Sequence, residues 1–199
     1  MSTLPLCILV ASIAAPDLIF ASSIFVILLP VASASSVLFV SVDVDDDVTN
    51  YLLLLLKVCI AIPEVIDMKQ SSLSPSCNAT LNLLDFSLPD KFYNYTSRLL
   101  KKSEEIVGEV LNYHYIHMVD YTNGGIMSEH SHKHNEDYSF ILYLNDCVDG
   151  ATVLHLENQH KILPQKGKVL LFSSEIPHSS EYSRSKQVFV GGLKVTNEV

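Results

Sequence analysis

The pattern of apolar and polar residues divides the chain into parts of different character. Residues 18–42 carry no charged side chain, and a second apolar run covers residues 51–62. Between residues 87 and 111 the apolar positions recur at helical spacing, which predicts one amphipathic helix. From about residue 112 the period changes to two, and short runs rich in β-branched and aromatic residues alternate with glycine-containing breaks. One helix followed by many short strands predicts a mainly β domain with a supporting N-terminal helix.

The apolar N-terminal part suggests membrane targeting. The 25 uncharged residues from 18 to 42 are long enough to cross a bilayer as a helix, although no basic residue precedes them. We therefore expect residues 1–42 to be a signal anchor or signal peptide. Residues 43–80 should be a linker that contains a short buried or interfacial helix, and residues 81–199 the globular domain. The alternatives for the first part are a hydrophobic segment of the folded protein and a start codon assigned too early.

Charge and sequence motifs narrow the partners and the compartment. The net charge of -9 and the isoelectric point near 5.2 argue against a nucleic-acid-binding protein, which normally has a basic face. Two glycosylation motifs begin at Asn78 and Asn94, and Cys77 and Cys147 could pair in an oxidising compartment. With the apolar N-terminal part, these features favour the endoplasmic reticulum or another secretory compartment, with possible membrane association.

A histidine cluster carries the candidate chemistry. His130, His132, His134 and Glu136 fall at every second residue, so an extended chain would place them on one face. His178 follows Pro177 at the exit of an apolar strand. Imidazole and carboxylate ligands with open positions suit Fe(II) oxygen chemistry. The alternative is a polar loop of solvated histidines. Four other histidines lie in strand-like runs and are expected to be surface or core residues: His114, His117, His155 and His160.

An ordered set of motifs accompanies these histidines. YTNGGIMSEHSH (121–132) is followed by LYLND (142–146), LPQKGKVLLF (163–172), His178 and Lys186. Over roughly residues 111–195 the chain resembles the Fe(II)/2-oxoglutarate dioxygenases, most of all their prolyl hydroxylase-like branch. The resemblance implies a double-stranded β-helix, or jelly roll, with iron at its open end. It also implies Fe(II) and 2-oxoglutarate as cofactors, with ascorbate as a further candidate, and a protein or peptide substrate.

The resemblance assigns roles to individual residues. His130 matches the first iron ligand and His178 the last, while His132 stands where the family has an aspartate. Three adjacent pairs remain open as the other two ligands: His130 with His132, His132 with His134, and His134 with Glu136. We predict His130, His132 and His178 as ligands, with His134 and Glu136 as alternates.

The same resemblance predicts the cosubstrate contacts. Lys186 matches the basic residue that pairs with the far carboxylate of 2-oxoglutarate, with Arg184 as a rival, and Tyr143 matches a tyrosine that hydrogen-bonds this carboxylate. The implied function is hydroxylation of a protein side chain such as proline. Because the usual acid ligand is missing, two alternatives stay open: a catalytically inactive jelly-roll binding module, and a three-histidine iron dioxygenase that does not use 2-oxoglutarate.

Overall fold

The computed structural model describes residues 25–29, 37–43, 46–60 and 77–196. Within them, the helices are α1 (Asp46–Ile60) and α2 (Asp90–Val107), and a 3-10 turn spans Leu83–Asp85. The strands, numbered along the chain, are β1 Phe25–Leu29, β2 Val37–Asp43, β3 Asn78–Ala79, β4 Leu111–Asp120, β5 Gly125–His130, β6 Tyr138–Tyr143, β7 Thr152–Leu154, β8 His160–Ile162, β9 Lys168–Ser173, β10 His178–Ser183 and β11 Gln187–Val195.

The strands form two antiparallel sheets. The major sheet has the order β1-β2-β9-β6-β11-β4-β3, and the minor sheet the order β5-β10-β7-β8. Buried residues from both sheets, among them Val119, Leu154, Leu170 and Phe172, form one apolar cluster between them. Successive side chains of a strand point to opposite faces of the sheet, so one face of each sheet is buried in this cluster while the other face meets solvent or a helix. The mainly β fold with two packed sheets confirms the fold class expected from the sequence.

A second apolar cluster lies between the helices and the major sheet. From α1 it takes Val48, Leu52, Leu56 and Cys59, whose spacing puts them on one helix face. Burying each leucine stabilises the fold by about 1.5–3 kcal/mol. From α2 the cluster takes Phe92, which is fully buried. The expected supporting helix is therefore present, and it is joined by α1.

The N-terminal region differs from its sequence prediction where the structure describes it. Residues 25–29 and 37–43, which fall largely within the expected membrane segment, form β1 and β2, and β2 pairs with β9 from Phe39↔Phe172 to Asp43↔Lys168. A continuous apolar run suits a strand of a covered sheet as well as a membrane helix, and periodicity cannot separate the two. Among the described helices, none has both the length and the hydropathy needed to cross a membrane. The rest of residues 1–42 lies outside the described residues.

The helix expected within residues 51–62 is present as part of α1. It begins with Asp46 and Asp47 and has Lys57 in its last turn, so its charges complement the helix dipole. Four side chains of α1 belong to the second apolar cluster, between the helices and the major sheet. The packed structure therefore includes residues that the sequence prediction treats as linker. No disulfide joins Cys77 to Cys147.

Candidate metal and cosubstrate site

Three imidazoles meet at one end of the minor sheet. His130 is the last residue of β5 and His178 the first of β10, and these two residues oppose each other in the pairing of the strands. His132 follows two residues after β5. One potential ligand nitrogen from each of the three residues lies within 4.8 Å of the others. The ring centroids of His130 and His178 are 4.3 Å apart, and those of His132 and His178 are 5.3 Å apart. The structure thus brings together the three histidines that the sequence analysis favoured.

A turn explains why the cluster stops at His132. The His132 amide donates to the Ser174 carbonyl at 3.0 Å, which holds it beside the end of β9. The His132 carbonyl then accepts from the Asn135 amide at 2.8 Å and the Glu136 amide at 3.3 Å. Because the chain turns here, the two-residue period of an extended strand no longer applies after His132. The expectation that all four cluster positions share one face is therefore wrong.

The two alternate ligands lie elsewhere. His134 is exposed on the turn. Glu136 is buried, and one of its oxygens accepts from the Ser139 hydroxyl at 2.6 Å and the Tyr115 hydroxyl at 3.2 Å. Its other oxygen has no hydrogen-bond partner among the described residues. Burial raises the pKa of Glu136 to about 7 despite these two donors. Neither residue belongs to the group of three imidazoles.

Backbone carbonyls orient two of the rings. His130 Nδ1 lies 2.7 Å from the Ser128 carbonyl, and His178 Nδ1 lies 3.0 Å from the Ile176 carbonyl. A carbonyl only accepts, so each Nδ1 carries the proton and each Nε2 presents its lone pair. This is the arrangement that metal-binding histidines usually have, with the second nitrogen held by an outer partner.

The environment favours neutral imidazoles. Burial, and then the neighbouring His130, lowers the pKa of His178 to about 3 and that of His132 to about 4. Neutral imidazole is the form that binds a metal, and the charged forms would repel one another. Three imidazole nitrogens on one side, facing a cavity on the other, fit a divalent transition metal with open coordination positions.

A cavity of about 270 Å³ extends from the three imidazoles between the sheets. Apolar side chains make up much of its wall, including Met127, Phe172 and Val188, and polar groups converge at one place, Lys186 with Ser180. Pockets of this composition, mostly apolar with a few placed polar groups, are typical of small-molecule sites. The imidazoles and the lysine therefore line one cavity.

Lys186 is a buried cation in this cavity. It is 2% exposed, and its ammonium donates to the Gly150 carbonyl at 2.9 Å and to the Ser180 hydroxyl. The ammonium also lies 4.3 Å from the centroid of the Tyr121 ring. Burial lowers the pKa of Lys186 to about 8. Among the salt bridges of the described residues none includes Lys186. A buried cation without a carboxylate is costly, and an anionic ligand would offset that cost.

The structure separates the two basic candidates and repositions the tyrosine. Arg184 is exposed and donates to the Tyr182 hydroxyl at 2.6 Å, so only Lys186 of the two lines the cavity. The fully buried Tyr143 donates to the Thr152 hydroxyl at 2.7 Å, and it is Thr152 that lines the cavity. The structure therefore does not bring Tyr143 to the cavity wall as the sequence prediction requires.

Sequence reasoning missed three residues beside Lys186. Tyr121, Ser180 and Thr152 all line the cavity. Tyr121 begins the first motif and Ser180 stands two residues after His178, so the alternation of strand β10 could have indicated that Ser180 shares a face with His178. Thr152 gives no local signal, because its position depends on the pairing of β7 with β10.

Comparison with known proteins supports the fold. Neither family models nor curated sequences match the chain. Among solved structures, a Pseudomonas putida prolyl-4-hydroxylase superposes with a TM-score of 0.63 at 16% identity, over 80% of this chain and 93% of that one. HygX from Streptomyces hygroscopicus with nickel and 2-oxoglutarate bound gives 0.63 at 11% identity, over 79% and 83%.

A third solved structure agrees with these two. An oxidoreductase of the 2OG-Fe(II) oxygenase family from Burkholderia pseudomallei gives a TM-score of 0.53 at 13% identity, over 62% of this chain and 70% of that one. At these identities the likeness establishes architecture. The chain therefore has the jelly-roll fold of these three proteins, which confirms the fold that the sequence motifs implied.

Proposed function

We propose that this protein is an Fe(II)- and 2-oxoglutarate-dependent oxygenase that hydroxylates a protein or peptide side chain, such as proline. One observation carries the proposal: three imidazoles and one buried lysine that forms no salt bridge with a described residue line the same cavity. A metal ion and a small dianion are the two kinds of ligand that these groups select. The fold shared with the three solved oxygenases supports the same conclusion.

The roles of the residues follow from their chemistry. His130, His132 and His178 would hold the metal through ring nitrogens. Bound together, Fe(II) and 2-oxoglutarate would activate O₂: one oxygen atom would enter succinate as 2-oxoglutarate loses carbon dioxide, and the other would convert a C–H bond of the substrate into C–OH. The Lys186 ammonium would bind the far carboxylate of 2-oxoglutarate, and Ser180 and Tyr121 hold that ammonium in place. The apolar wall excludes water from the reacting groups.

The third imidazole changes the charge of the site. With an aspartate ligand, one negative charge of the protein would offset the metal; with His132 in that place the protein ligands are all neutral. The dianionic cosubstrate then supplies the compensating charge. We therefore expect metal and 2-oxoglutarate to bind with strong positive coupling, because each reduces the electrostatic cost of the other.

Two of the solved structures bear on the substrate class. The prolyl-4-hydroxylase neighbour favours a protein or peptide substrate. HygX, however, has also been solved with hygromycin B bound, so the same fold accommodates a small molecule. A peptide library with single proline-containing sequences, read by mass spectrometry for a gain of one oxygen, tests the peptide assignment directly.

An anaerobic titration tests the cofactor assignment. Protein loaded with Fe(II) should develop a visible charge-transfer band as 2-oxoglutarate is added. The His178→Ala variant should lose metal binding and the band together. A protein that binds metal without the band would instead be a three-histidine dioxygenase independent of 2-oxoglutarate. A protein that binds neither the metal nor 2-oxoglutarate would be a non-catalytic jelly-roll module. The buried Lys186 argues against the three-histidine dioxygenase, since an enzyme that does not use 2-oxoglutarate gives this cation no anionic ligand.

A further inference from the structure

Three polar side chains form a continuous network on the minor sheet. The Ser179 hydroxyl, on β10, lies 2.8 Å from His155 Nε2, just beyond β7. His155 Nδ1 lies 3.4 Å from a carboxylate oxygen of Glu129, on β5. The network therefore spans all three neighbouring strands β5, β10 and β7. The amide nitrogen of the exposed Gln159 side chain approaches the same Nδ1 at 3.3 Å.

The network lies next to two of the imidazoles along the strands that carry them. Glu129 precedes His130, and Ser179 follows His178. Because neighbouring residues of a strand point to opposite faces, the Glu129 side chain lies on the outer face of the sheet, opposite the His130 ring. Ser179 also lines the cavity beside His178. His155 follows Leu154, which is buried between the sheets, and so shares the outer face. The network is thus one residue from the metal site along each of two strands.

The backbone pairing is irregular at the point that the network crosses. β10 pairs with β5 through His178↔His130 and Ser180↔Met127, with a register shift between these two pairs. An irregularity of this kind disrupts the ladder locally and bends the strand. The regular hydrogen bonds of the sheet are therefore not enough to fix the separation of His130 and His178. A side-chain connection across the same gap can fix it.

We propose that Glu129, His155 and Ser179 are positioning residues that hold His130 and His178 at metal-binding separation. In this arrangement His155 Nε2 and the Ser179 hydroxyl share a hydrogen bond, and the Glu129 carboxylate lies beside His155 Nδ1. The His155 amide also donates to the Pro177 carbonyl at 2.8 Å, directly before His178. The two strand ends are thereby tied to one rigid imidazole ring. The inference rests on the proposed metal site and adds the residues that set its geometry.

The same sheet offers a matched control. Lys161 on β8 and Glu181 on β10 form an ion pair at 2.5 Å, and Glu181 stands two residues after Ser179 on the same strand. This pair is also a cross-strand contact of an exposed glutamate, but it connects β10 to β8 and leaves β5 untouched. Removing it should perturb the sheet to a similar extent without reaching the imidazoles.

Metal affinity is the measurement that separates positioning from ordinary stabilisation. We expect His155→Ala to weaken Ni(II) binding about tenfold, the lower end of the range for residues that support metal ligands. Its Co(II)-loaded form should show altered visible bands, since these report ligand geometry. Glu129→Gln keeps an acceptor for His155 and should stay within about twofold of wild type, whereas Glu129→Ala should not. Combining Ser179→Ala with His155→Ala should add little to His155→Ala alone, because both variants break one network.

Glu181→Gln and a thermal melt of the metal-free protein complete the experiment. The proposal is supported if Glu181→Gln binds Ni(II) like wild type while the network variants bind more weakly at an unchanged melting temperature. It is overturned if the network variants and Glu181→Gln have the same Ni(II) affinity. This conclusion requires that His130→Ala abolishes Ni(II) binding, because that result shows that Ni(II) binds at the imidazoles. If wild-type protein binds no Ni(II) at all, the proposed function fails, and the positioning role fails with it.

Discussion

Replacing Lys186 with methionine isolates the charge on which the cosubstrate assignment depends. The methionine keeps an apolar stem of similar length but removes the ammonium, which is 2% exposed and donates to the Gly150 carbonyl and the Ser180 hydroxyl. A hydrogen bond to a charged group contributes about 1.5–3 kcal/mol, so Lys186→Met should weaken 2-oxoglutarate binding by about ten- to a hundredfold. Metal binding should be unaffected in the absence of 2-oxoglutarate, because the Lys186 ammonium donates to the Gly150 carbonyl and the Ser180 hydroxyl and not to an imidazole.

The pH dependence supplies an independent check. Burial places the pKa of Lys186 at about 8, below its ordinary value of 10.5. Below pH 8 the ammonium is charged and the affinity for the dianion should be constant. Above pH 8 the ligand-free site loses its proton, so the dissociation constant should rise by up to about tenfold per pH unit. The Lys186→Met variant should lack this rise, since it has no group to titrate.

The same substitution should stabilise the ligand-free protein at neutral pH. A pKa that is depressed on folding means that the charged lysine opposes folding below pH 8, and that this cost disappears as the pH rises towards 10.5. The shift corresponds to at most about 3 kcal/mol, reduced by the two oxygen acceptors that the methionine leaves without a donor. The gain should be greatest below pH 8 and vanish near pH 10.5. Such a trade of stability for function is common at binding sites.

Isothermal titration of 2-oxoglutarate into anaerobic, Ni(II)-loaded protein measures these effects, with Arg184→Met as the matched control. The exposed Arg184 contacts Tyr182 and not the cavity, so its loss should change the affinity less than about twofold. If Arg184→Met loses affinity and Lys186→Met does not, the cosubstrate contact has been assigned to the wrong residue. Equal affinity of Lys186→Met and wild type at pH 7 would refute the argument from the buried charge.

Three further predictions concern other parts of the molecule. His132→Ala should abolish stoichiometric Ni(II) binding while His134→Ala retains it, as measured by metal analysis after dialysis; retention by His132→Ala would remove His132 from the site. His132→Asp, which restores a carboxylate, should keep the metal and is expected to raise turnover. Gly192→Ala should cost about 1–3 kcal/mol of unfolding free energy in urea titrations, because the new methyl group collides with the Glu136 carboxylate and comes within 2.7 Å of a Tyr115 ring carbon; an equal cost in a Glu136→Ala background would contradict this cause. Expression in a eukaryotic secretory system should give a glycan at the exposed Asn94, seen as a shift on enzymatic deglycosylation; an unglycosylated, carbonate-extractable product would argue against the secretory prediction.

The local pattern of the sequence was enough to predict most of the β-rich domain and its helix. The change from a helical period to a period of two near residue 112 corresponds to the end of α2 at Val107 and the start of β4 at Leu111. Apolar strands such as β6 and β9 were visible because their buried residues are β-branched or aromatic. Strand β10, HSSEYS, was not, because its inward side chains line a polar end of the cavity and carry no apolar alternation.

The N-terminal segment shows where local pattern is insufficient. An uncharged apolar run has no periodicity that separates a membrane helix from a covered strand. The pairing of β2 with β9 joins residues more than a hundred positions apart, and α1 is buried because the major sheet offers it an apolar face. Neither partner can be seen from within residues 18–62. Tertiary contacts therefore decided the structure of β1, β2 and α1.

The candidate site divides in the same way. The sequence alone determined which residue types were present in the right order: the histidines at 130–136, His178 and Lys186. Only the tertiary structure decided which histidines come together, because the turn after His132 ends the strand periodicity and the register of β5 with β10 brings His178 opposite His130. It also turned the Tyr143 hydroxyl to Thr152 and assembled Glu129, His155 and Ser179 from three strands. Side-chain identity is a property of the sequence, whereas proximity across strands depends on register, which distant residues determine jointly.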